Sequence, residues 1–197
     1  MNTIPLFPLQ TVLFPHGRMP LQVFESRYLD LVSECMKQDS GFGVVWLKQG
    51  SDTYQSEAET GAVLSQVGTY ARIVDWDSLP NGLLGVTIEG REKFRLLSSH
   101  QAKNHLHMGE IEWIEAADSI QLPTESDELR GLLLTLLDHP HVERLKLNPV
   151  VDDVETLGCV LSQLLPIDER MKFNLLTMTD PLHRLEQIMA LLDHYSE

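Results

Sequence analysis

Two pairs of histidines are the side chains of this sequence best suited to chemistry. His105 and His107 are separated by one residue, and His139 and His141 flank a proline. A protein metal site normally needs three or four converging ligands. Neither pair has an acidic residue or a cysteine at a recognisable ligand spacing. We therefore expect these histidines to lie in solvated loops or strands, and we predict no metal site.

Adjacent carboxylates are the next candidates, at Asp152–Asp153 and at Asp168–Glu169. Paired carboxylates can act as acid and base when burial separates their pKa values. Both pairs stand where a helical pattern begins, however, and there an acidic side chain caps the first turn. The sequence also lacks the glycine-rich phosphate-binding motifs and the Gly-x-Ser-x-Gly nucleophile motif. We predict no catalytic residue and no cofactor, and we interpret the chain as non-enzymatic.

The charge balance excludes some classes of partner. The 197 residues carry a formal net charge of −14, whereas nucleic acids and anionic membrane surfaces are bound by clustered lysine and arginine. The densest basic group, Arg91, Lys93 and Arg95, alternates along one predicted strand and is expected to form a solvated face. We expect neither nucleic acid nor a membrane as a partner.

Cysteine content and hydropathy indicate the compartment. The chain has two cysteines, too few for a disulfide framework, and we expect free buried thiols in a reducing environment. No secretory signal is recognisable, and no apolar run approaches the ~20 residues of a membrane span. A cytoplasmic location is the resulting expectation.

Residues 1–120 carry mainly strand patterns. The N-terminal run 4–9 alternates prolines with large apolar residues, which predicts an extended, buried edge strand followed by a loop and a second strand at 21–24. The further predicted strands are 43–47, 62–75, 83–89, 93–97 and 109–115. Gly90 and Arg91 are expected to separate the strands on either side of them. Several short strands predict a small barrel or sandwich.

The helical patterns define one inserted helix and a helical C-terminal part. Within the strand region, apolar residues at helical spacing predict a helix from Ser26 to about Gln38. Residues 121–197 carry four helical stripes, which begin near Pro123, Asp152, Asp168 and Pro181. The sequence therefore predicts a β subdomain at 1–120 and a helical subdomain at 121–197.

Several of these segments resemble one known family. The resemblance covers nearly the whole chain and is to the N-terminal substrate-recognition domain of the Lon ATP-dependent protease. It is carried by Ile4–Leu9, Phe14–Pro15, Val23–Tyr28, Val67–Ile73, Glu89–Leu96, Leu164–Pro166 and Met171–Leu176. Several motifs in the same order are more specific than any one of them.

The resemblance implies an α+β fold: an N-terminal PUA-like small β-barrel with one inserted helix, followed by a bundle of about four helices. It implies binding of unfolded or partly folded polypeptide, or of a protein partner. Lon continues into an ATPase and a Ser–Lys protease, whereas this sequence ends at Glu197 and has no Walker motif. The chain is therefore similar to a stand-alone recognition domain that neither hydrolyses ATP nor cleaves peptides.

Five residues are the predicted polypeptide contacts: Phe14, His16 and Met19 after the first strand, and Trp76 and Leu79 in a loop. They are chosen because apolar groups at these places are expected to remain exposed. Two other functions stay open. One is a small-ligand or enzymatic site in the cleft between barrel and helices. The other is RNA binding, which PUA-like barrels perform elsewhere and which the acidic charge opposes.

Overall fold

A computed structural model describes residues 2–49 and 63–196 of the chain. The described strands are β1 (Asn2–Leu9), β2 (Arg18–Val23), β3 (Gly41–Gln49), β4 (Val63–Ser78), β5 (Leu84–Gln101) and β6 (His107–Trp113). The described helices are α1 (Ser26–Gln38), α2 (Asp127–Leu137), α3 (Pro140–Glu143), α4 (Val154–Leu164), α5 (Glu169–Thr177) and α6 (Pro181–Ser196). A single 3-10 turn, Thr124–Ser126, precedes α2. Ala62, the first residue of the predicted strand 62–75, lies outside the described residues.

The strands pair in the order β2-β5-β4-β3-β1-β6, and β5 pairs with β6 as well. Five strands therefore form a ring of pairings that returns on itself, with β2 added at the outer side of β5. Helix α1 is inserted between β2 and β3, as the sequence predicts. The α+β class and the order of strands before helices are confirmed.

The N-terminal strand is not an edge strand, so that prediction is wrong. β1 lies between β3 and β6, but it uses the two neighbours in succession. Residues 2–6 pair with β6, and residues 6–9 pair in parallel with β3. Each half thus has one paired side. Pro5 and Pro8 are accommodated because a half-strand with one partner does not need every N–H.

The predicted break at Gly90 is also wrong, because β5 runs without interruption from Leu84 to Gln101. Gly90 does not form a turn; it allows the main chain of another segment to come close to β5. A Cβ at this position would lie 2.1 Å from the main-chain oxygen of Phe14. The glycine therefore lets the turn after β1 pack directly on the middle of β5.

Three apolar clusters form the core. Inside the ring, Phe94 packs with Leu6, Val45 and Ile111. A second cluster joins α1 to the strands of the sheet, including Phe7, Val23 and Ile88. The third lies among α2, α4, α5 and α6, and it receives Val12 and Phe14 from the strand region. The two parts of the chain therefore pack on each other through apolar side chains.

The acidic residues at the helix starts act as caps. Asp153 accepts a hydrogen bond from the Thr156 N–H at 2.8 Å, and Asp168 accepts one from the Met171 N–H at 2.8 Å. These bonds satisfy main-chain donors that the first turn of a helix leaves unpaired. Capping thus accounts for one carboxylate in each adjacent pair.

A buried polar cluster joins the strand part to the helical part. Arg184 is fully buried, and its Nη1 lies 2.6 Å from Glu155 Oε2. Lys93 of β5 donates to the Met178 carbonyl at 3.3 Å and lies 3.9 Å from Glu155. The prediction of a solvated face is therefore wrong for Lys93, because the helical part covers this side of β5.

The division of the chain into two subdomains at residue 120 remains a prediction. None of the helices in the described ranges has the length and apolar composition of a membrane span.

Candidate functional site

The structure buries two of the five predicted contact residues. Phe14 has no exposed surface and projects into the helical core, and its N–H donates to Gln163 Oε1 at 2.9 Å. Met19 is 7% exposed and packs under α1. The expectation that these two side chains are exposed is wrong, and both support the scaffold from within.

His16 is exposed in the turn between β1 and β2. The Gly17 N–H donates to the Phe14 carbonyl at 3.1 Å, which closes a four-residue turn with Pro15 and His16 at its centre. His16 has a φ of 63°, a left-handed conformation that favours glycine. Its own N–H donates to the Gly90 carbonyl at 2.9 Å, so the turn is fixed against β5.

Trp76 and Leu79 lie close in sequence but on different faces of the β4–β5 hairpin. Trp76 is in β4 rather than in a loop, pairs with Val86 and is 59% exposed. Leu79 is half-buried and covers Gly85, where a Cβ would lie 2.9 Å from its side chain. Because neighbouring strand residues point to opposite faces, Gly85 and Val86 mark the two sides of the hairpin. The structure does not bring Trp76 and Leu79 together.

The charges beside Trp76 belong to a contact with the helical part. Lys146 Nζ lies 2.9 Å from Asp75 Oδ2, and this hydrogen bond and charge lower the pKa of Asp75 below its ordinary value. Arg18 of β2 donates to the Lys146 carbonyl at 2.7 Å and pairs with Glu89 at 2.7 Å. These contacts hold the outer end of the sheet in place and leave the indole exposed.

An apolar groove lies where β1 ends and β2 passes into α1. We call it the β1–β2 groove; residues 7–10, residues 21–25, Tyr28 and Leu47 line it, and its volume is about 350 Å³. A second cavity of about 310 Å³ adjoins it, shares Phe24 and Glu25, and reaches Asn104 and His105. Together they form an extended cleft of the size that binding sites have.

Phe24 is the most exposed apolar side chain of the groove, at 62%. It directly follows Val23, the buried last residue of β2, and its own side chain is turned away from the core. Our sequence reasoning did not select this residue. The signal was present, because two adjacent large apolar residues at a strand end cannot both face the core.

The walls of the groove are fixed by stacking and by one ion pair. The Phe7 and Tyr28 rings stack with centroids 3.9 Å apart. The Arg27 guanidinium lies over Tyr28, pairs with Glu25 at 3.0 Å and donates to the His105 carbonyl at 2.8 Å. The groove therefore offers an apolar, preorganised surface with its charge neutralised. Such a surface suits binding and contains no acid–base pair.

The histidine pairs do not form a joint site. His107 is buried in β6 beside Gln101, whereas His105 lies in the preceding turn. His139 and His141 stack on each other at the start of the short helix α3, with ring centroids 5.4 Å apart. Within residues 2–49 and 63–196, no group of three or more His, Cys, Asp or Glu side chains is arranged to hold a metal ion.

A larger cavity of about 570 Å³ lies on the other side of α1, between this helix and β1. Cys35, Asp30 and Glu34 of α1 line it, together with Tyr70, whose hydroxyl accepts a hydrogen bond from the Gly41 N–H at 2.6 Å. Burial raises the pKa of Cys35, which keeps the thiol protonated at neutral pH. A protonated, buried thiol is a poor nucleophile.

Comparison with known proteins shows which of them this chain resembles. The family model of the ATP-dependent protease La (LON) substrate-binding domain matches residues 3–194. Lon protease of Haemophilus influenzae is 26% identical over 198 residues, which cover 98% of this chain and 24% of that protein. Lon protease of Escherichia coli is 25% identical, over 96% of this chain and 24% of that protein. The chain thus spans about a quarter of the length of these relatives.

Two solved structures share the fold. A crystal structure of a Lon N-terminal domain protein from Xanthomonas campestris superposes with a TM-score of 0.73 at 35% identity, over 96% of this chain and 98% of that one. The N-terminal domain of the Mycobacterium avium complex Lon protease gives 0.63 at 14% identity, over 96% and 97%, which is a likeness of fold alone. The chain belongs to the family of the ATP-dependent protease La (LON) substrate-binding domain.

Proposed function

We propose that this chain is a non-enzymatic recognition module that binds unfolded or partly folded polypeptide through the β1–β2 groove. The observation that carries the proposal is the exposed Phe24 side chain at the rim of the apolar β1–β2 groove. Most large apolar side chains of a folded protein are buried, and an apolar, preorganised groove is typical of a binding site. Unfolded polypeptides expose the apolar side chains that such a groove accepts.

Trp76 is a second exposed aromatic side chain, at some distance from the groove. Leu21, Val86 and Trp76 are paired in register across β2, β5 and β4, so two strand spacings, about 9.6 Å, separate Leu21 from Trp76. Val86 between them is buried, so Trp76 is a separate proposed contact and not a continuation of the groove. His16 and Leu79 remain predicted contacts of lesser weight, and Phe14 and Met19 act through the scaffold.

The same features argue against the two other functions. Apolar side chains such as Phe14 and Val12 fill the junction between strands and helices, where a small-ligand site was one expectation. The net charge of −14 opposes RNA binding. Polypeptide binding also agrees with the family's description as a substrate-binding domain. A cytoplasmic location, which the cysteine content and hydropathy of the sequence favour, is part of the proposal.

The test is a titration of a fluorescently labelled, permanently unfolded protein, reduced and carboxymethylated α-lactalbumin, followed by fluorescence anisotropy. We expect saturable binding that Phe24→Ser weakens about tenfold, because an aromatic anchor contributes at least ~1.4 kcal/mol. Leu134→Ser is the matched control, since Leu134 on α2 is 64% exposed and distant in sequence from the groove. Equal affinities of wild type and both variants, or no binding at all, would contradict the proposal.

A further inference from the structure

We infer that the bound segment adds to the sheet as an extra β-strand along the free edge of β2. This inference rests on the proposed function and specifies its mode of recognition: main-chain hydrogen bonds to β2, with alternate side chains in the β1–β2 groove. The main-chain bonds would make binding tolerant of sequence, as a module for unfolded chains requires.

β2 stands at the end of the strand order, and β5 is its one strand partner among the described residues. A strand with one partner presents a row of N–H and C=O groups on its other side. The groove lies between β2 and residues 7–10, and most of its lining comes from these segments and none from β5, so it adjoins the side of β2 that faces away from β5.

The hydrogen bonds between β2 and β5 define which main-chain groups of β2 face its free edge. The Gly90 N–H donates to the Gly17 carbonyl at 2.9 Å, in register with the pairing of β2 and β5. Antiparallel strands alternate between residues that bond to the partner and residues that point away. Counting from Gly17, the residues at 19, 21 and 23 bond to β5. Those at 20, 22 and 24 point outward.

The proline in β2 fits the same phase. Pro20 has no N–H and falls on an outward position, so it interrupts no bond to β5. The next outward position, Gln22, is therefore the first complete donor and acceptor of the edge, and Phe24 follows directly after the end of the strand. The template for an added strand is therefore the stretch that lines the groove.

Residues 7–10 form the opposite wall of the groove. β6 pairs with β1 only as far as Leu6, so the side of β1 that β6 leaves is unpaired at residues 7–10, which also line the groove. The edge of β2 thus faces a concave space and not open solvent.

The charge of the chain and the lining of the groove indicate the chemistry of the occupant. Glu25, the charged one among the described side chains that line the groove, is paired with Arg27. The chain as a whole has a net charge of −14, and charge complementarity with this surface favours a segment with basic residues at its ends. The apolar lining favours large apolar side chains at alternate positions, because alternate residues of a strand face one side. The occupant is an extended polypeptide segment with alternating apolar residues and a basic flank.

The test compares two peptides of the sequence Lys-Thr-Val-Thr-Ile-Thr-Val-Lys, labelled for anisotropy. In the second peptide the threonines are N-methylated, which removes main-chain donors on one edge and leaves every side chain in place. We expect the unmodified peptide to bind and the methylated peptide to bind at least about tenfold more weakly, the effect of one or two lost hydrogen bonds.

A pair of protein variants tests the same bonds from the other side. Gln22→Pro removes the outward N–H of this residue and no bond to β5, as Pro20 already illustrates. We expect Gln22→Pro to bind the unmodified peptide about tenfold more weakly than Gln22→Ala does, because the alanine variant loses the same side chain but keeps the N–H. Circular dichroism and the melting temperature verify that both variants fold. If Gln22→Pro fails to fold, the comparison of the two peptides decides.

The outcomes separate the inference from the function on which it rests. Equal binding of both peptides, or an unaltered Gln22→Pro variant, overturns strand addition. Light scattering could also show that wild-type protein is a dimer and that Gln22→Pro is not. This result would overturn strand addition too, because a second copy would then occupy the edge. If neither the peptide nor carboxymethylated α-lactalbumin binds wild-type protein, the proposed function itself fails.

Discussion

At the scale of single residues, burial decides the chemistry of the two cysteines. Burial, and next the charge of Glu155, raise the pKa of Cys159 to about 12, and burial raises the pKa of Cys35 as well. Both thiols are therefore protonated in the native protein, and both side chains are almost completely buried. We expect neither to react with Ellman's reagent at pH 8, whereas both react in 6 M guanidinium chloride. Fast labelling of either thiol without denaturant would contradict this.

The cap of α4 makes a second prediction at this scale. Partial burial alone would raise the pKa of Asp153, but hydrogen bonds from Thr156 and from Ser119 outweigh it and lower this pKa. A lowered native pKa stabilises the fold above the unfolded-state pKa near ~3.9, and the stabilisation disappears as pH falls through the native value. We expect Asp153→Ala to reduce the free energy of unfolding by about 1 kcal/mol at pH 7.

The control for this cap is Asp152→Ala, which removes a neighbouring exposed carboxylate. It should alter stability by less than about 0.5 kcal/mol. Urea denaturation at pH 7 and at pH 2.5 measures both variants, and the Asp153→Ala deficit should shrink at the lower pH. A deficit of the same size at both values would show that the charge of Asp153 does not contribute.

Sequence reasoning succeeded at the caps and failed at the exposed aromatic residues. A cap depends on a few consecutive residues, so Asp153 and Asp168 could be assigned from local pattern. Exposure depends on what the rest of the chain brings near. Phe14 is covered by helices more than a hundred residues away, whereas Phe24 is left uncovered. No local pattern distinguishes these two phenylalanines.

At the scale of elements, the ring of strands depends on small residues around Phe94. A Cβ at Gly68 would lie 2.5 Å from the Phe94 ring and 2.5 Å from the Val44 carbonyl. A Cβ at Gly43 would lie 2.7 Å from the same ring. These glycines leave the space that the aromatic side chain fills, and they allow the strands to close around it.

Gly68→Ala should therefore destabilise the protein by about 1–3 kcal/mol, the usual effect of overpacking a core. Gly131→Ala is the matched substitution, because Gly131 lies in α2 with no atom within 4 Å of the added Cβ. This variant should be more stable than wild type by up to about 1 kcal/mol, since alanine favours the helix. Urea denaturation distinguishes them, and a neutral Gly68→Ala would contradict the packing described for the ring.

The sequence predicted most elements but not how the strands connect. Helix α1 and the four long helices of the C-terminal part were foreseen from apolar spacing and caps. The continuity of β5 was not, because Gly90 is explained by the approach of Phe14 and not by a turn. The position of β1 was missed for a similar reason. Its prolines were assigned to an edge, whereas a strand that changes partners at Leu6 accommodates them inside the sheet.

At the scale of the whole molecule, the buried cluster of Arg184, Glu155 and Lys93 joins the two parts of the chain. Arg184 also donates to the Leu175 and Met178 carbonyls, at 3.0 and 2.5 Å. Burial, and then the charge of Arg184, lower the pKa of Lys93. The native state thus binds the Lys93 proton less tightly than the unfolded state does. The free energy of unfolding therefore rises with pH as Lys93 loses this proton in the native protein.

Substitution of Arg184 and substitution of Lys93 should therefore have different effects on stability. Arg184→Met leaves Glu155 and two carbonyls without their main donor, and we expect a loss of about 3–5 kcal/mol. Lys93→Met removes the like charge beside Arg184, and Arg184 still pairs with Glu155 and Met178. We expect this variant to stay within about 1 kcal/mol of wild type. Denaturant unfolding at pH 7 measures the free energy of unfolding of both variants. A larger loss for Lys93→Met than for Arg184→Met would contradict the roles assigned to the two cations.

The family and the order of the two parts were accessible from the sequence, because ordered motifs extend along nearly the whole chain. The groove was not. Its walls come from the end of β1, from β2 and from Leu47 of β3, and these residues meet only once the ring has formed. Sequence reasoning placed binding in the turn at 14–19, next to the groove in the chain but turned toward the helices.

Hydrogen exchange followed by mass spectrometry tests the central claim most directly. The exchange of each segment is measured with and without a saturating amount of carboxymethylated α-lactalbumin. Polypeptide binding in the β1–β2 groove predicts slower exchange in residues 7–10 and 21–28, with little change in α2 and α6. Slower exchange confined to the helices, or no change in residues 7–10 and 21–28 when the unfolded protein is bound, would contradict this account.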